Sequence, residues 1–294
     1  IRRQIDHGPF VASLMSASPG LVIKVSQALT DPAWKQSMID EIDKLNKYKT
    51  WTPVQVVPAR HKKLPLLWIF KEKANLTKKS RLTVRGDLEP VNPEVVNYAP
   101  VATLQARRVL LHLAVTYDWG VCLVDIESAF VNAPLKKIIF VGIPPGFRDY
   151  FPKGTVGLRL LRSLYGLRSS PANWNSAFDT CLINFGFRRT KSDPCVYVFE
   201  GVDGRLILSL HVDDALIASS SKEVKSMFLA YLRQFFTIKL EDPVRRVLGT
   251  NLVRTPKGFT LHMKDYTEKL LQSYGFFKPK PNKDITPMSF NFMQ

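Results

Sequence analysis

Apolar residues fall at helical spacing in five stretches of the chain. Trp34, Met38, Ile42 and Leu45 follow Asp31-Pro32, an N-cap with proline in the first turn, so a helix is predicted from there to just before Thr50-Trp51-Thr52-Pro53. Thr103 caps a second helix bearing Ala106, Val109, Leu110, Leu113 and Ala114. A third begins near Pro171, with Trp174, Phe178, Cys181, Leu182 and Phe185 on one face, a stripe that reads as core packing. A fourth covers about 222–235, with Val224, Phe228, Leu232 and Phe235 inward, and a fifth lies near 265–274. Between them the pattern turns strand-like. Short apolar runs at 54–57, 66–70 and 82–84 alternate with basic residues, and Gly120 to Asp125 is an apolar strand ending in a carboxylate. Cys195–Phe199 and Arg205–Val212 flank the turn Gly201-Val202-Asp203-Gly204, a second turn is expected at Asp213-Asp214, and Ala215–Ala218 runs back. Residues 134–164 and 246–262 carry short strands. Residues 1–28 read as a loose lead-in and 278–294 as a linker.

One feature of this pattern carries chemistry. Asp213 and Asp214 interrupt an otherwise apolar strand pair, and Asp125 ends another apolar strand. Half-buried carboxylates repel one another and are costly without a counter-charge, which a divalent cation supplies. Alternation places Leu206, Leu208, Leu210 and Val212 on one face and Ile207, Ser209, His211 and Asp213 on the other. If the two strands are neighbours, the acids converge into a hard-oxygen set that suits magnesium, and a pair of such ions supports in-line phosphoryl displacement. The same Asp-Asp dipeptide is also the sequence of a plain tight turn, and Asp125 that of a strand-end cap.

Charge sharpens the choice. The 294 residues include 42 Lys+Arg against 25 Asp+Glu, a formal net charge of +17, which points to a polyanionic partner, nucleic acid before a membrane surface. Between Arg60 and Gly86 stand Arg60, Lys62, Lys63, Lys71, Lys73, Lys78, Lys79, Arg81 and Arg85, opposed by Glu72 alone: a phosphate-contacting surface or a solvated charged face. Cys122, Cys181 and Cys195 are widely spaced, show no metal-ligand spacing and read as reduced core residues. No apolar run approaches the roughly 18 residues of a membrane span.

An ordered set of blocks resembles the reverse transcriptase of copia-type (Pseudoviridae-like) LTR retrotransposons. Val124-Asp125 through Ala129-Phe130-Val131-Asn132 is similar to the family's first-aspartate block, and His211-Val212-Asp213-Asp214 to its Tyr-Val-Asp-Asp box. Leu164-Tyr165-Gly166-Leu167-Arg168, followed by Pro171 and Trp174, resembles its Leu-Tyr-Gly-Leu-Lys block. Asp31 to Trp34, Trp68 to Lys73, Lys79-Ser80-Arg81-Leu82, Tyr98 to Val101, Ile143 to Phe147, Asp193-Pro194 and Leu248-Gly249 match in family order.

The resemblance implies an α+β right-hand polymerase with palm, fingers and thumb, whose antiparallel palm sheet packs on helices. Residues 29–105 would be mainly fingers, 106–134 palm with the first catalytic aspartate, 135–165 a fingers return, 166–245 palm with the Asp-Asp hairpin, and 246–294 the start of thumb or connection. It implies Asp125, Asp213 and Asp214 as catalytic metal ligands, with the Ile126 backbone carbonyl also facing a metal. Two Mg2+ ions are implied, with Mn2+ able to substitute. Lys71, Lys73, Lys79, Arg81, Phe130, Tyr165 and Gly166 would bind the nucleotide, Phe130 crowding a ribose 2′-hydroxyl, and His211 would position the primer end. The partners would be an RNA template, a DNA primer, deoxynucleoside triphosphates and the other Pol polyprotein domains, with no membrane and with cytoplasmic particles and the nucleus as the setting. Nothing after Gly249 offers the acidic set of the family's ribonuclease H, so a polyprotein fragment lacking it is expected.

Four departures qualify the match. His211 stands where the family has Tyr, Ala133 replaces a Gly, Ser169 replaces a Gln, and the stretch between Lys73 and Lys79 is short. They keep open an alternative, a catalytically degenerate relative that holds RNA–DNA duplex.

Overall fold

Local sequence signals set the first unit. The computed structural model describes residues 23–73, 75–90, 98–256 and 258–275, so most of the expected lead-in and all of the expected linker lie outside the described residues. A short helix, α1 (Val25–Thr30), occupies the end of the expected lead-in, with Ala28 fully buried. Its single buried position explains why no periodicity announced it. The long helix α2 (Pro32–Lys47) starts as predicted: the Asp31 carboxylate accepts from the Ala33 and Trp34 N–H groups, and Pro32 occupies the first turn. Strands β1 (Trp51–Val54), β2 (Lys63–Leu64), β3 (Leu66–Glu72) and β4 (Lys78–Val84) follow.

The β3–β4 hairpin forms a two-stranded sheet, and α2 covers its free edge. Ser37 Oγ accepts the Ser80 N–H at 2.7 Å, Glu41 Oε1 the Leu82 N–H at 3.4 Å, and Lys78 reaches Asp31 at 2.5 Å. Helix side chains thus satisfy backbone groups that an edge strand otherwise leaves open. Glu41 is buried and ion-paired with Lys44, which offsets the cost of taking the carboxylate out of water. With Lys78, Ser80 and Leu82 turned to α2, alternation sends Lys79 and Arg81 to the opposite face.

Helix α3 (Leu104–Thr116), capped by the Thr103 hydroxyl, leads into β5 (Gly120–Ile126) and the short α4 (Ala129–Asn132). The chain then returns to the first unit: β6 (Phe140–Val141) and β7 (Gly157–Leu160) join β1 and β2 in a four-stranded sheet ordered β1-β7-β6-β2. Its inner face and α2 share one core, which includes Trp34, Met38, Ile42, Leu45, Leu158 and Leu160.

The next stretch builds the frame of the site. Helix α5 (Ser170–Phe185) precedes β8 (Arg188–Arg189), β9 (Val196–Gly201), β10 (Gly204–His211) and β11 (Asp214–Ser219). Helix α6 (Lys222–Phe235) and β12 (Ile238–Glu241) follow. These strands and β5 make an antiparallel six-stranded sheet ordered β12-β5-β11-β10-β9-β8. One face carries Cys122, Val124, Ile126, Leu206, Leu208, Leu210, Ala215 and Ile217 onto Trp174 and Phe178 of α5 and Val224, Phe228 and Leu232 of α6. The other is covered at one end by Leu110, Leu111 and Ala114 of α3. The last elements are β13 (Arg246–Val247), β14 (Thr250–Thr255), β15 (Gly258–His262) and α7 (Lys264–Ser273).

All three cysteines are free and buried as expected, and burial pushes the Cys122 thiol up to about 12. Among the described residues, no helix is long and apolar enough to cross a membrane.

Candidate active site

The acids meet because β5 and β11 are neighbours. Their register sets Asp214 directly opposite Asp125, while β10 sets His211 opposite Asp214 and β12 sets Lys239 opposite Asp125. Directly opposed residues share a face, so His211, Asp214, Asp125 and Lys239 form one row across the sheet. Here the structure corrects the expected turn. The turn is Val212-Asp213, Asp214 is the first residue of β11, and Asp214 rather than Asp213 is the acid that shares the His211 face through the ladder. Asp213 stands exposed at the tip.

That tip is strained and then held. Val212 adopts φ 58°, a left-handed conformation that is costly for a β-branched residue. Its carbonyl accepts the Trp174 indole N–H at 2.6 Å, and the Asp213 carbonyl accepts the Ile126 N–H at 3.0 Å. In an extended strand a residue's N–H and C=O point to the same side, so the Ile126 carbonyl also faces the tip. Trp174 is buried as predicted, but its anchoring bond to the hairpin is not visible in a periodicity. Trp174→Phe should keep most of the packing, lose this bond and lower unfolding free energy by about 1–3 kcal/mol, measured by urea denaturation. An unchanged midpoint would show that the turn holds itself.

The carboxylates sense one another. Burial first, then Asp213 and Asp125, push the Asp214 carboxyl up to about 6. Burial and Asp213 raise Asp125, while Lys239 and Lys79 draw it down. Among the described residues none of the three makes an ion pair or accepts a side-chain hydrogen bond, whereas neighbouring Glu127 pairs with Lys239 at 2.7 Å. Nor does any group of three or more His, Cys, Asp or Glu side chains among the described residues close around a point as a structural metal cage does. An open, unpaired set of hard oxygens fits a cation that takes few carboxylates and completes its shell with water and phosphate.

The raised Asp214 has a stability consequence. Between its ordinary 3.8 and about 6 the native chain binds more protons than the unfolded chain, so this group makes metal-free stability fall as pH rises through that window. The melting-temperature gain of Asp214→Asn over wild type is therefore expected to be larger at about pH 7 than at about pH 4. A gain independent of pH would remove the electrostatic explanation.

The cationic face of β3–β4 lies within electrostatic reach of the acids, since the Lys79 charge draws Asp125 down. Lys71 is opposite Lys79, and Arg81 stands two residues beyond Lys79 on the same face. Burial and the charges of Arg81, Lys44 and Lys73 lower the Lys79 ammonium. The Arg81 guanidinium lies 4.2 Å from the Tyr165 ring centre, and Phe130 meets that ring edge-on at 5.2 Å. Lys73 sits exposed at the hairpin's end, where its N–H closes the connection to the Thr77 carbonyl at 2.9 Å. Thus Lys79, Arg81, Phe130, Tyr165 and the three acids gather in one region.

The Tyr165-Gly166 turn touches β4 backbone to backbone. Val84 N–H donates to the Tyr165 carbonyl at 2.7 Å. Gly166 has φ 91°, and a Cβ there would lie 2.1 Å from the Val84 carbonyl oxygen. Arg168 closes the junction, donating from its side chain to the Gly86 and Asp87 carbonyls and from its backbone N–H to buried Glu89. Sequence reading missed Ser37 and Lys239, and it gave no separate role to Glu41 or to Arg168 of the Leu164–Arg168 block. His211 stays on the acid row with its Nδ1 buried and without a partner among the described residues, and burial with Arg107 lowers its imidazole.

Residues 48–289 match the family described as reverse transcriptase (RNA-dependent DNA polymerase). The chain is 29% identical over 269 residues to the retrovirus-related Pol polyprotein from transposon RE2 of Arabidopsis thaliana, covering 90% of this chain and 18% of that protein. It is 29% identical to the Pol polyprotein from transposon TNT 1-94 of Nicotiana tabacum, covering 87% and 20%. A putative transposon Ty5-1 protein of Saccharomyces cerevisiae is 30% identical over 146 residues, 49% of this chain and 47% of that one. The chain therefore spans about a fifth of the length of the two plant polyproteins.

Proposed function

We propose two-metal nucleotidyl transfer for this chain, which belongs to the reverse transcriptase (RNA-dependent DNA polymerase) family. The observation that carries the proposal is the register that opposes Asp125 to Asp214, with Asp213 fixed at the adjoining tip. Asp125, Asp213 and Asp214, with the Ile126 carbonyl, would hold Mg2+, or Mn2+ in its place; bound there, the metal would polarise phosphoryl oxygens and favour the ionised primer hydroxyl. The primer 3′-hydroxyl attacks the α-phosphate of a deoxynucleotide and pyrophosphate leaves.

The chain's own residues do the rest. Lys71, Lys73, Lys79 and Arg81 receive the triphosphate, Phe130 packs where a ribose 2′-hydroxyl would intrude, and Gly166 lets the Tyr165 turn approach β4 closely. His211 neighbours the primer end. In this reading the six-stranded sheet is the palm. The α2, β1–β4 and β6–β7 unit is the fingers, a division supported by the pairing of residues 51–64 with 140–160 in one sheet. The segment from β13 onward begins the thumb or connection. The net charge of +17 supports an RNA template with a DNA primer as partners, and the likeness to Pol polyproteins supports the presence of further domains beside it.

A second reading has one specific observation behind it: His211, with an orphaned Nδ1, stands where the family places Tyr. It holds that the chain binds RNA–DNA duplex without incorporating nucleotides. Primer extension on poly(rA)/oligo(dT) with magnesium and then manganese separates the two. Metal-dependent extension supports the polymerase. Salt-sensitive duplex binding with no extension under either metal supports the binding relative.

A further inference from the structure

Arg81 stands on the free face of β4 at the end of a long side chain that would sample many rotamers in water. In the folded chain its guanidinium instead stacks 4.2 Å from the Tyr165 ring centre. The ring is fixed from several directions. Phe130 meets it edge-on at 5.2 Å with an interplanar angle of 64°. The Tyr165 carbonyl accepts the Val84 N–H, and Gly166 is seated against the Val84 backbone too closely to admit a side chain. Val84 is three residues beyond Arg81 on the same strand, so tyrosine and arginine are mounted on one rigid junction. Burial raises the Tyr165 hydroxyl, Arg81 draws it down and Asp213 raises it, so the ring senses both the cation and the acid tip.

We propose that Tyr165 is a positioning residue whose ring holds the Arg81 guanidinium, before any nucleotide arrives, in the orientation that receives the triphosphate. The inference rests on the polymerase reading and replaces direct nucleotide contact with action through Arg81. A planar guanidinium stacks through its face and keeps its edge N–H donors free for phosphate oxygens, which an ammonium does not do. Preorganisation of this kind lowers the cost of binding and so acts on KM for the nucleotide more than on kcat.

Steady-state extension kinetics of the full chain test it. Tyr165→Leu is expected to raise KM for the deoxynucleotide about five- to tenfold with kcat within about twofold of wild type. Tyr165→Phe, which keeps the ring, should recover the wild-type KM. Arg81→Lys should raise KM similarly, and adding Tyr165→Leu should then change little, because both remove one interaction. A loss in Tyr165→Leu confined to kcat, or one that multiplies with Arg81→Lys, would overturn the proposal. The Arg81 Nε–H proton resonance, identified by its absence from Arg81→Lys, gives a readout without turnover. It should be shifted upfield by the ring in wild type and Tyr165→Phe, and near its ordinary position in Tyr165→Leu. An ordinary position in wild type overturns the proposal. An upfield position in a chain that extends no primer supports the pairing and counts against the polymerase reading alone.

Discussion

Asp213→Asn is expected to reduce primer extension by roughly a thousandfold or more while leaving the fold intact. The two halves of this result have separate physical origins. Asp213 is exposed at the hairpin tip, and the contact that fixes its backbone is the Ile126 N–H to its main-chain carbonyl, which asparagine retains. The substitution therefore removes charge and little else. That charge raises both Asp125 and Asp214, so its loss should relieve them and leave metal-free stability unchanged or up by about 1 kcal/mol. Extension, duplex binding and thermal melting should be measured on the same preparations. Lost extension with retained binding and an equal or higher melting temperature is the expected result. Extension at the wild-type rate would sink the catalytic assignment. Lost extension with a markedly lower melting temperature would make Asp213 a structural residue.

The largest expected effect on stability lies away from the acids. Gly166→Ala should lower unfolding free energy by about 3 kcal/mol or more, read from urea denaturation. Two costs combine. The φ of 91° is a conformation that side chains disfavour, and the new Cβ would stand 2.1 Å from the Val84 carbonyl oxygen and 2.9 Å from Thr83 Cγ2. Backbone cannot yield as a flexible side chain does, so the junction between the Tyr165 turn and β4 must open. Gly86→Ala tests the same junction from the other side, since its Cβ would lie 2.0 Å from the Gly166 carbonyl oxygen. Gly249→Ala is the control: its φ is 80°, but nothing lies within 4 Å, so it should cost only about 1 kcal/mol. Equal losses at Gly166 and Gly249 would show that conformation alone, and not the close approach, sets the requirement.

Much of the chain was legible without coordinates. Helices α2, α3, α5 and α6 lie within a residue or two of the spans their apolar spacing predicts, and Asp31 and Thr103 cap as predicted. Those are local matters. The acids were legible as a type, because carboxylates interrupting an apolar strand pair need a reason. Their exact arrangement was not, and the turn at Val212-Asp213 fell one residue before the expected Asp213-Asp214. A one-residue shift moves a side chain to the other face of a strand, and register is set by the partner strands. The α1 helix was missed because a helix with one buried residue leaves no period to read.

The helices, the caps, the polar tip in an apolar hairpin and the basic strands could be read along the chain, because each depends on residues close together in it. That Asp125 faces Asp214, that Trp174 holds the Val212 carbonyl, that Ser37 and Glu41 occupy the edge of β4, and that Arg81 rests on Tyr165 came from the folded chain alone. Each joins residues far apart in sequence, and such contacts are chosen by strand order and shared core packing, which no local spacing encodes.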